Sequence, residues 1–198
     1  MTSLIWVRHG QSTANVAHLL QGQSEGELTE IGRQQAQQLG QHLRDFKIDH
    51  FISSDLARAK ETAQIIVEQI NLPLELSPHV REWKVGHLDG QPAAALENAF
   101  EMSAVSKADY KPENGESLND LRNRAKGFCD QLIQQHTGKN VLICSHGDFI
   151  RMSFSALLDR TLEDALTIEL HNCSYSILEN DRNGQWHLKS LNNRAHLS

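Results

Sequence analysis

The chain has 198 residues, of which 39% are hydrophobic and 22% are charged, and its formal net charge at pH 7 is −6. This length and composition suit one globular domain with a full core. The acidic balance argues against a broad nucleic-acid surface, and no apolar run approaches the ~20 residues needed to span a bilayer.

Cysteine and histidine usage indicates a reducing compartment and no bound metal. The cysteines Cys129, Cys144 and Cys173 lack close pairing and are predicted to be small buried hydrophobic residues, the first on a helix and the other two in strands. None of the 11 histidines forms a His-x-x-x-His pair or combines with cysteines at zinc spacing. Because the N-terminus lacks a secretory pattern, we expect a cytoplasmic location.

The first half of the chain alternates short apolar strands with amphipathic helices. A buried strand is predicted at residues 3–8 and others at 48–53 and 72–76, with helices over 29–46 and 55–70 between them. Thr29 is the predicted N-cap of the first helix. The predicted buried stripes are Ile31, Leu39, Leu43 and Phe46 on the first helix and Ala59, Ala63, Ile66 and Ile70 on the second.

The second half begins with an irregular stretch at about 77–116, which holds three of the four prolines and a helix around 92–101. Ser117 caps a strong helix, which is followed by a strand from Val141 and a helix from Asp148. A closing hairpin is predicted from residues 167–179, a turn at 181–184 and residues 185–191. The predicted stripe of the capped helix is Leu118, Leu121, Ala125, Phe128 and Leu132.

Strands that alternate with helices predict parallel pairing with helices on both faces of the sheet. We therefore expect a three-layer α/β/α fold with a mostly parallel central sheet and an antiparallel edge hairpin. The chain 1–198 is interpreted as one domain, with the 77–116 stretch as an irregular insertion over the site.

Two of the predicted strands end in a histidine followed by glycine. The first ends in Arg8, His9 and Gly10, and the Val141 strand ends in Ser145-His146-Gly147. Ligands bind at the carboxyl ends of strands in such sheets, so these side chains are expected to meet. Arg58, in the helix after the second strand, and Glu82, in the irregular stretch, complete a set suited to a phosphoryl group, because guanidinium forks match phosphate oxygens.

The segments VRHGQSTAN, SSDLARAKETA, REWKVGHLDG and CSHGDFIR resemble, in order, the motifs of the histidine phosphatase superfamily, also called the phosphoglycerate mutase-like family. The closing HNCSYSILEND…GQWHLKSLNNRAHL resembles the end of its small bacterial phosphatases. The resemblance covers essentially the whole chain, and four motifs in order are far more specific than any one alone.

The resemblance implies a role for each residue of this set. His9 would accept the phosphoryl group, Arg8, Arg58 and His146 would hold its equatorial oxygens, and Glu82 would protonate the leaving alkoxide and then deprotonate water. Gly10 is interpreted, with Gly147, as allowing close backbone approach to an oxyanion. The further phosphate or substrate contacts implied are Asn15, Gln21, Gly22 and Gly147, with Ser12 a weaker candidate.

Several residues keep more than one interpretation. Trp83 stacks on a substrate or anchors its loop, and Asp148 is interpreted as an N-cap rather than a pocket residue. The carboxylates that compete with Glu82 for the acid role are Asp89, Glu97, Glu113 and Glu116. The histidines placed outside the chemistry are His87, His171 and His196.

The expected function is a metal-independent, cofactor-free phosphomonoesterase of the histidine acid type, a phosphoric monoester hydrolase acting on small phosphorylated metabolites. The alternative is a 2,3-bisphosphoglycerate-dependent phosphoglycerate mutase. Few basic residues, Lys84, Lys107 and Lys111, are available between 84 and 116 to hold a second anionic group, which argues against it. A silent phospho-ligand-binding module is the third candidate. A homodimer is an expected assembly, with no nucleic acid or membrane as partner.

Overall fold

The computed structural model describes residues 1–197, and Ser198, the last residue of the predicted 1–198 domain, lies outside the described chain. The strands are β1 (Ser3–Arg8), β2 (His50–Ser54), β3 (Leu74–Ser77), β4 (Asn140–Ser145), β5 (Tyr175–Asn180) and β6 (Trp186–Asn193). The helices are α1 (Thr13–Val16), α2 (Glu30–Leu43), α3 (Ala57–Ile70), α4 (Ala94–Met102), α5 (Leu118–Gln135), α6 (Gly147–Leu157) and α7 (Leu162–Leu166). Short 3₁₀ turns lie at Pro78–Val80, Gly86–Leu88 and Ala195–Leu197.

One six-stranded sheet has the order β3-β2-β4-β1-β5-β6. The pairs β3–β2, β2–β4 and β4–β1 are parallel, whereas β5 runs antiparallel to both β1 and β6. This arrangement confirms the predicted parallel sheet with an antiparallel edge hairpin. Because β1 and β4 are neighbours in register from Ser3 opposite Asn140 to Arg8 opposite Ser145, the ends of these two strands lie side by side.

Successive residues of β1 point into two separate cores. Leu4 and Trp6 pack with α5 and α6 on one face, and Ile5 and Val7 pack with α2 and α3 on the other. Continuous apolar sequence is required in a strand that is covered on both faces. The helices thus form the two outer layers that the alternation of elements predicted.

Two helices begin where their sequences predicted. Thr29 Oγ1 accepts a hydrogen bond from Gly32 N at 3.0 Å at the start of α2. Ser117 and Asp120 form a reciprocal capping box at the start of α5. Such caps satisfy N–H groups that have no partner within the helix. Within residues 1–197, none of the helices is both long and apolar enough to cross a membrane.

The predicted buried stripe of the first helix is wrong at Ile31, which is 55% exposed. Gly32 and Ala36 take the buried positions instead. A Cβ atom on Gly32 would lie 2.1 Å from Gln11 O, so only glycine allows this close packing. Phe46 lies beyond the end of the helix, although it still packs against the core.

The predicted strand over 167–179 is also too long, because only Tyr175–Asn180 is extended. Cys173 has a φ of +50°, which interrupts extended backbone, so it lies in a loop and not in a strand as predicted. All three cysteines are free and buried, in agreement with the prediction that they act as small hydrophobic residues.

Candidate active site

A cleft lies at the carboxyl ends of β1 and β4, where the two histidine-glycine motifs emerge. The segment between β3 and α5 covers one side of it, and the loop after α1 covers another. The residues that line this cleft are Arg8, His9, Asn15, Leu19, Leu20, Gln21, Gly22, Arg58, Glu82, Trp83, Val85, Leu96 and Asp148.

The His9 imidazole is 2% exposed and is held in one orientation by its backbone. Its Nδ1 lies 2.7 Å from the carbonyl oxygen of Gly10, which can only accept, so Nδ1 carries the proton and Nε2 carries the lone pair. Burial, together with the charges of Arg58 and Arg8, lowers the pKa of His9 well below its ordinary value. The ring is therefore neutral at pH 7, and its Nε2 keeps the lone pair that a nucleophile needs.

Arg58 is a buried cation at the base of the cleft, in the first turn of α3. Its guanidinium donates to Gly22 O at 2.8 Å and to Ser24 O at 3.1 Å, and its Nε lies 3.3 Å from His9 Nε2. Burial lowers the pKa of Arg58 to about 10, so the side chain stays charged at neutral pH. The long contact to His9 leaves Nε able to donate to a phosphate oxygen bound beside that ring.

Arg8 lines the cleft, whereas His146 is fully buried and lies next to His9 without lining the cleft. Arg8 Nη1 donates to Leu170 O at 2.6 Å, whereas its buried Nε has no partner. His146 Nε2 lies 2.8 Å from Ser54 Oγ, and its buried Nδ1 is likewise unpartnered. If the Ser54 hydroxyl donates to Nε2, Nδ1 is an N–H donor. Unpaired buried polar atoms are costly, and Arg8 Nε is a donor in every state, so its lack of a partner indicates an anion site.

His9 and His146 are close neighbours, with ring centroids 5.2 Å apart. Burial and the charge of Arg58 lower the pKa of His146 well below its ordinary value as well. Both imidazoles are therefore neutral in a site whose positive charge comes from Arg8 and Arg58. This arrangement leaves His9 Nε2 with its lone pair and His146 without a charge.

Glu82 places its carboxylate at the N-terminus of α6. It accepts hydrogen bonds from Trp83 N at 2.8 Å, Phe149 N at 3.1 Å and Asp148 N at 3.3 Å. Burial raises the pKa of Glu82, and the nearby Asp148 charge adds to this rise. A carboxyl whose pKa is raised in this way can donate a proton in mildly acidic solution and accept one afterwards.

The prediction that Asp148 is an N-cap is wrong. His146 is the N-cap of α6, and Asp148 lies in the first turn, lines the cleft and accepts from Arg151 Nη1 at 2.8 Å. The physical reason is that the Glu82 carboxylate already accepts from the N–H groups at this helix end. The positive end of the α6 dipole therefore faces the Glu82 carboxylate, and Glu82 lines the cleft.

The polar residues on the α1 side have distinct contacts. Asn15 Oδ1 accepts from Ser12 N and Asn172 Nδ2, and Gln21 Oε1 accepts from Ser12 Oγ. The amide NH₂ groups of Asn15 and Gln21 are therefore the ends available to a phosphate oxygen. Ser12 is buried and caps α1, and it does not line the cleft.

The three predicted glycines differ in what requires them. A Cβ atom on Gly22, whose φ is +45°, would lie 2.0 Å from Asp89 Oδ1. The Gly22 carbonyl also accepts a hydrogen bond from Arg58. A Cβ on Gly147 would lie 3.2 Å from Arg151 Nη1, which is a tight contact, and at ordinary distances of 3.8 Å from Arg8 Nε and 3.9 Å from Glu82 Oε2. At Gly10 the limit is packing, because a Cβ would lie 2.5 Å from Gly32 O.

The competing carboxylates are placed elsewhere. Glu97 pairs with Lys107, Glu116 pairs with Arg124, Glu113 is exposed, and Asp89 packs beside Gly22. None of these four lines the cleft. Trp83 lines the cleft, and its indole N–H donates to Glu116 O at 2.7 Å, which anchors its loop; stacking on a substrate stays a prediction. The histidines His87, His171 and His196 contact Glu113 N, Glu169 and Cys173 O, respectively.

Three supporting residues were not predicted. Thr62 Oγ1 accepts from Gly10 N, and Asn172 Nδ2 donates to His9 O, so both hold the backbone around His9. Ser54 Oγ contacts His146 Nε2. Thr62 lies in α3, Ser54 ends β2 and Asn172 lies in a loop, and no local pattern marks any of them, so only the fold identifies them. Among residues 1–197, no group of three His, Cys, Asp or Glu side chains lies close enough together to hold a metal ion.

Comparisons with known proteins agree with this geometry. The sequence model described as the histidine phosphatase superfamily (branch 1) matches residues 4–194. The chain is 32% identical over 205 residues to the "Probable phosphoglycerate mutase GpmB" of Yersinia pestis (strain Pestoides F), covering 100% of this chain and 95% of that protein.

Among solved structures, Bacillus stearothermophilus YhfR superposes with a TM-score of 0.90 and 28% identity, covering 100% of both chains. The Entamoeba histolytica phosphoserine phosphatase in complex with 3-phosphoglyceric acid has a TM-score of 0.88 and 26% identity, again covering 100% of both. The mycobacterial glucosyl-3-phosphoglycerate phosphatase in complex with VO3 has a TM-score of 0.85 and 26% identity, covering 97% of this chain and 99% of that one.

Proposed function

Because the chain belongs to the histidine phosphatase superfamily, we propose that it is a phosphomonoesterase that hydrolyses small phosphorylated metabolites through a phosphohistidine at His9. The observation that carries the proposal is the neutral His9 ring, with Nδ1 tied to Gly10 O and Nε2 beside Arg58. The similar structures include phosphatases named for phosphoserine and glucosyl-3-phosphoglycerate. We propose a histidine acid-type enzyme of the cytoplasm, where its three free cysteines stay reduced.

In the first step, the lone pair of His9 Nε2 attacks phosphorus and the bond to the alcohol oxygen breaks. The proton of the Glu82 carboxyl passes to that oxygen, so the leaving group departs as a neutral alcohol. The Gly10 carbonyl stabilises the positive charge that develops on the ring. Arg8, Arg58 and His146 Nδ1 donate to the equatorial oxygens, on which charge accumulates in a loose transition state.

In the second step, the Glu82 carboxylate takes a proton from water, the water oxygen attacks phosphorus, and the phosphorus–nitrogen bond breaks. Inorganic phosphate leaves, while His9 returns to its neutral form and Glu82 to its acid form. The three backbone N–H groups around Glu82 hold its carboxylate in place through both steps.

The second candidate is a phosphoglycerate mutase, which the name of the Yersinia pestis relative favours. A mutase must hold a second anionic group, yet the cleft lining beyond the groups around His9 includes apolar Leu19, Leu20, Val85 and Leu96 and the acidic Asp148. Lys107 and Lys111 pair with carboxylates on the surface, and none of the lysines between 84 and 116 lines the cleft. Arg8 and Arg58 are the two basic residues of the cleft, and both lie beside His9.

The proposal is tested by measuring phosphate release from a panel of phosphorylated metabolites in EDTA, alongside interconversion of 2- and 3-phosphoglycerate with 2,3-bisphosphoglycerate. We expect phosphate release from several esters and slow or no interconversion. Interconversion faster than hydrolysis would establish the mutase instead. Tight binding of phosphate esters without turnover would establish a silent binding module.

Glu82→Gln is expected to slow an alkyl ester such as glycerol phosphate by about 10²-fold or more, because the alkoxide then leaves without a proton. Release of nitrophenolate from p-nitrophenyl phosphate in the first turnover is expected to change much less, since this leaving group needs no proton. Single-turnover rates on both esters provide the measurement. Glu97→Gln is the matched control, because Glu97 is exposed and paired with Lys107, and it is expected to behave as the native protein on both. Equal slowing of the two esters by Glu82→Gln would assign the acid role to another residue.

The plot of kcat/KM against pH is expected to be bell-shaped. His9 must be unprotonated, so activity rises as pH increases through its lowered pKa, and Glu82 must be protonated, so activity falls above its raised pKa. Asp148→Asn removes the charge that helps raise the pKa of Glu82, and the alkaline limb is expected to move to lower pH while the acid limb stays. Asp130→Asn, at an exposed pair with Lys126, is the control. An alkaline limb that stays in place in Asp148→Asn would show that another group determines it.

A further inference from the structure

One arginine of α5 holds the loop that carries Glu82. Arg124 Nη1 donates to His79 O at 3.1 Å and to Arg81 O at 2.8 Å, and its Nη2 donates to Glu82 O at 3.0 Å. We call residues 79–84 the acid loop. A single guanidinium therefore donates to three of the loop's carbonyl groups, and the Glu82 carbonyl accepts a second hydrogen bond from Gln23 Nε2 at 3.0 Å.

Glu116 fixes both Arg124 and the far end of the acid loop. Its carboxylate accepts from Arg124 Nε and Nη2, both at 2.9 Å, in a two-pronged ion pair whose side chains are 19% and 20% exposed. The same carboxylate accepts from Lys84 N at 3.1 Å, and Glu116 N donates to Lys84 O at 2.8 Å. The Trp83 indole donates to Glu116 O. Arg124 and Glu116 therefore hold the backbone of the acid loop both before and after Glu82.

Arg124 also contacts the helix end that receives the Glu82 carboxylate. Its guanidinium lies over the Phe149 ring, 5.1 Å from the centroid, and Phe149 N donates to Glu82 Oε1 at 3.1 Å. Arg124 therefore bridges the backbone of Glu82 and the residue that holds its side chain. Neither Arg124 nor Glu116 lines the cleft, and all five N–H groups of Arg124 donate to the acid loop or to Glu116, so Arg124 has no donor left for a substrate.

We propose that Arg124, together with Glu116, is a positioning residue that sets the Glu82 carboxyl at the distance and angle from His9 that proton transfer requires. The inference rests on the proposed function, in which Glu82 is the acid. The geometry favours arginine specifically, because a lysine ammonium has three donors and no planar fork. A misplacement of about 1 Å at a reacting group costs about 10²-fold in rate.

The test compares Arg124→Met and Arg124→Lys with Arg122→Met. Arg122 lies on the same helix and donates to Ser155 Oγ at 2.9 Å, away from the acid loop, so it is a matched control for the loss of a helix arginine. Each variant is assayed in single turnovers on glycerol phosphate and on p-nitrophenyl phosphate, with thermal unfolding and inhibition by inorganic phosphate measured alongside.

We expect Arg124→Met to slow the alkyl ester by about 10²-fold and the nitrophenyl ester only a few-fold, with phosphate inhibition unchanged. Arg124→Lys is expected to lie between Arg124→Met and the native protein, and Arg122→Met is expected to show no difference between the esters. Equal slowing of both esters by Arg124→Met would overturn the positioning role, whatever the thermal stability of the variant. The reason is that loss of a merely structural residue lowers the active fraction of the enzyme for every substrate. If Arg124→Met does not fold, Arg124→Lys and Glu116→Gln provide the same comparison and decide by the same criterion.

Glu82→Gln, assayed in parallel, separates this inference from the proposed function. If Glu82→Gln slows the alkyl ester selectively and Arg124→Met does not, the positioning inference alone is overturned. If Glu82→Gln shows no selectivity, the assignment of Glu82 as the acid is overturned, and the role of Arg124 with it.

Discussion

His9→Ala is expected to lower kcat/KM for every phosphate ester by at least about 10⁴-fold, the scale on which losing a covalent nucleophile acts. The loss follows because, within residues 1–197, His9 is the histidine that lines the cleft, and Nε2 of the neighbouring His146 is engaged by Ser54. The protein is expected to stay folded, since β1 is held by Leu4, Trp6 and their neighbours in both cores and not by His9. Steady-state hydrolysis and far-UV circular dichroism measure the two outcomes.

His171→Ala is the matched control for this variant. His171 is partly exposed, pairs with Glu169 and does not line the cleft, so this variant is expected to keep most of its activity. Inorganic phosphate is expected to bind His9→Ala still, because Arg8, Arg58 and His146 remain. Hydrolysis by His9→Ala at more than a few per cent of the native rate would contradict a phosphohistidine mechanism.

Arg58→Ala is expected to lower kcat/KM by about 10³-fold or more, because it removes a charged donor from a buried oxyanion site. Two consequences combine in this variant. The equatorial oxygens lose a cation that is 1% exposed, and the carbonyls of Gly22 and Ser24 lose their donor, which loosens the cleft wall. The affinities for vanadate and phosphate are measured in parallel with kcat/KM, and we expect all three to fall in Arg58→Ala.

Arg58→Lys separates charge from shape in this prediction. Lysine keeps the positive charge but cannot hold both carbonyls and a phosphate oxygen with a planar fork. We expect it to recover part of the phosphate affinity and less of the rate. If Arg58→Ala bound vanadate as tightly as the native protein, Arg58 would not contact the transferred phosphoryl group.

The meeting of Arg8, His9 and His146 was predictable because it depends on two local patterns. Apolar runs that end in histidine and glycine indicate buried parallel strands, and such strands end at one edge of a sheet. The structure adds that β1 and β4 are direct neighbours. That fact depends on how the whole chain packs, and no local pattern encodes it.

The prediction for Asp148 was wrong for the same physical reason that Arg124 was not foreseen. Aspartate before a helical stretch is a good N-cap by local rules, but Glu82 reaches the same N–H groups from a segment far away in the sequence. Arg124 lies on an ordinary amphipathic helix, and only the folded chain shows that it faces the acid loop. Ile31 was misplaced because small residues, Gly32 and Ala36, form the buried face of α2 at its N-terminal end, where the large apolar residues Leu39 and Leu43 have not yet begun.

The central claim, a phosphoryl group carried on His9, is tested most directly by isolating that intermediate. Glu82→Gln is mixed with p-nitrophenyl phosphate, quenched in alkali, digested and analysed by mass spectrometry. Because the first step with this ester needs no acid and the second step lacks its base, a burst of one nitrophenolate per active site is expected, with phosphate on the peptide that contains His9. No phosphorylated peptide is expected from the double variant that carries both Glu82→Gln and His9→Ala. Phosphate on a different residue, or a burst without any labelled peptide, would contradict the mechanism.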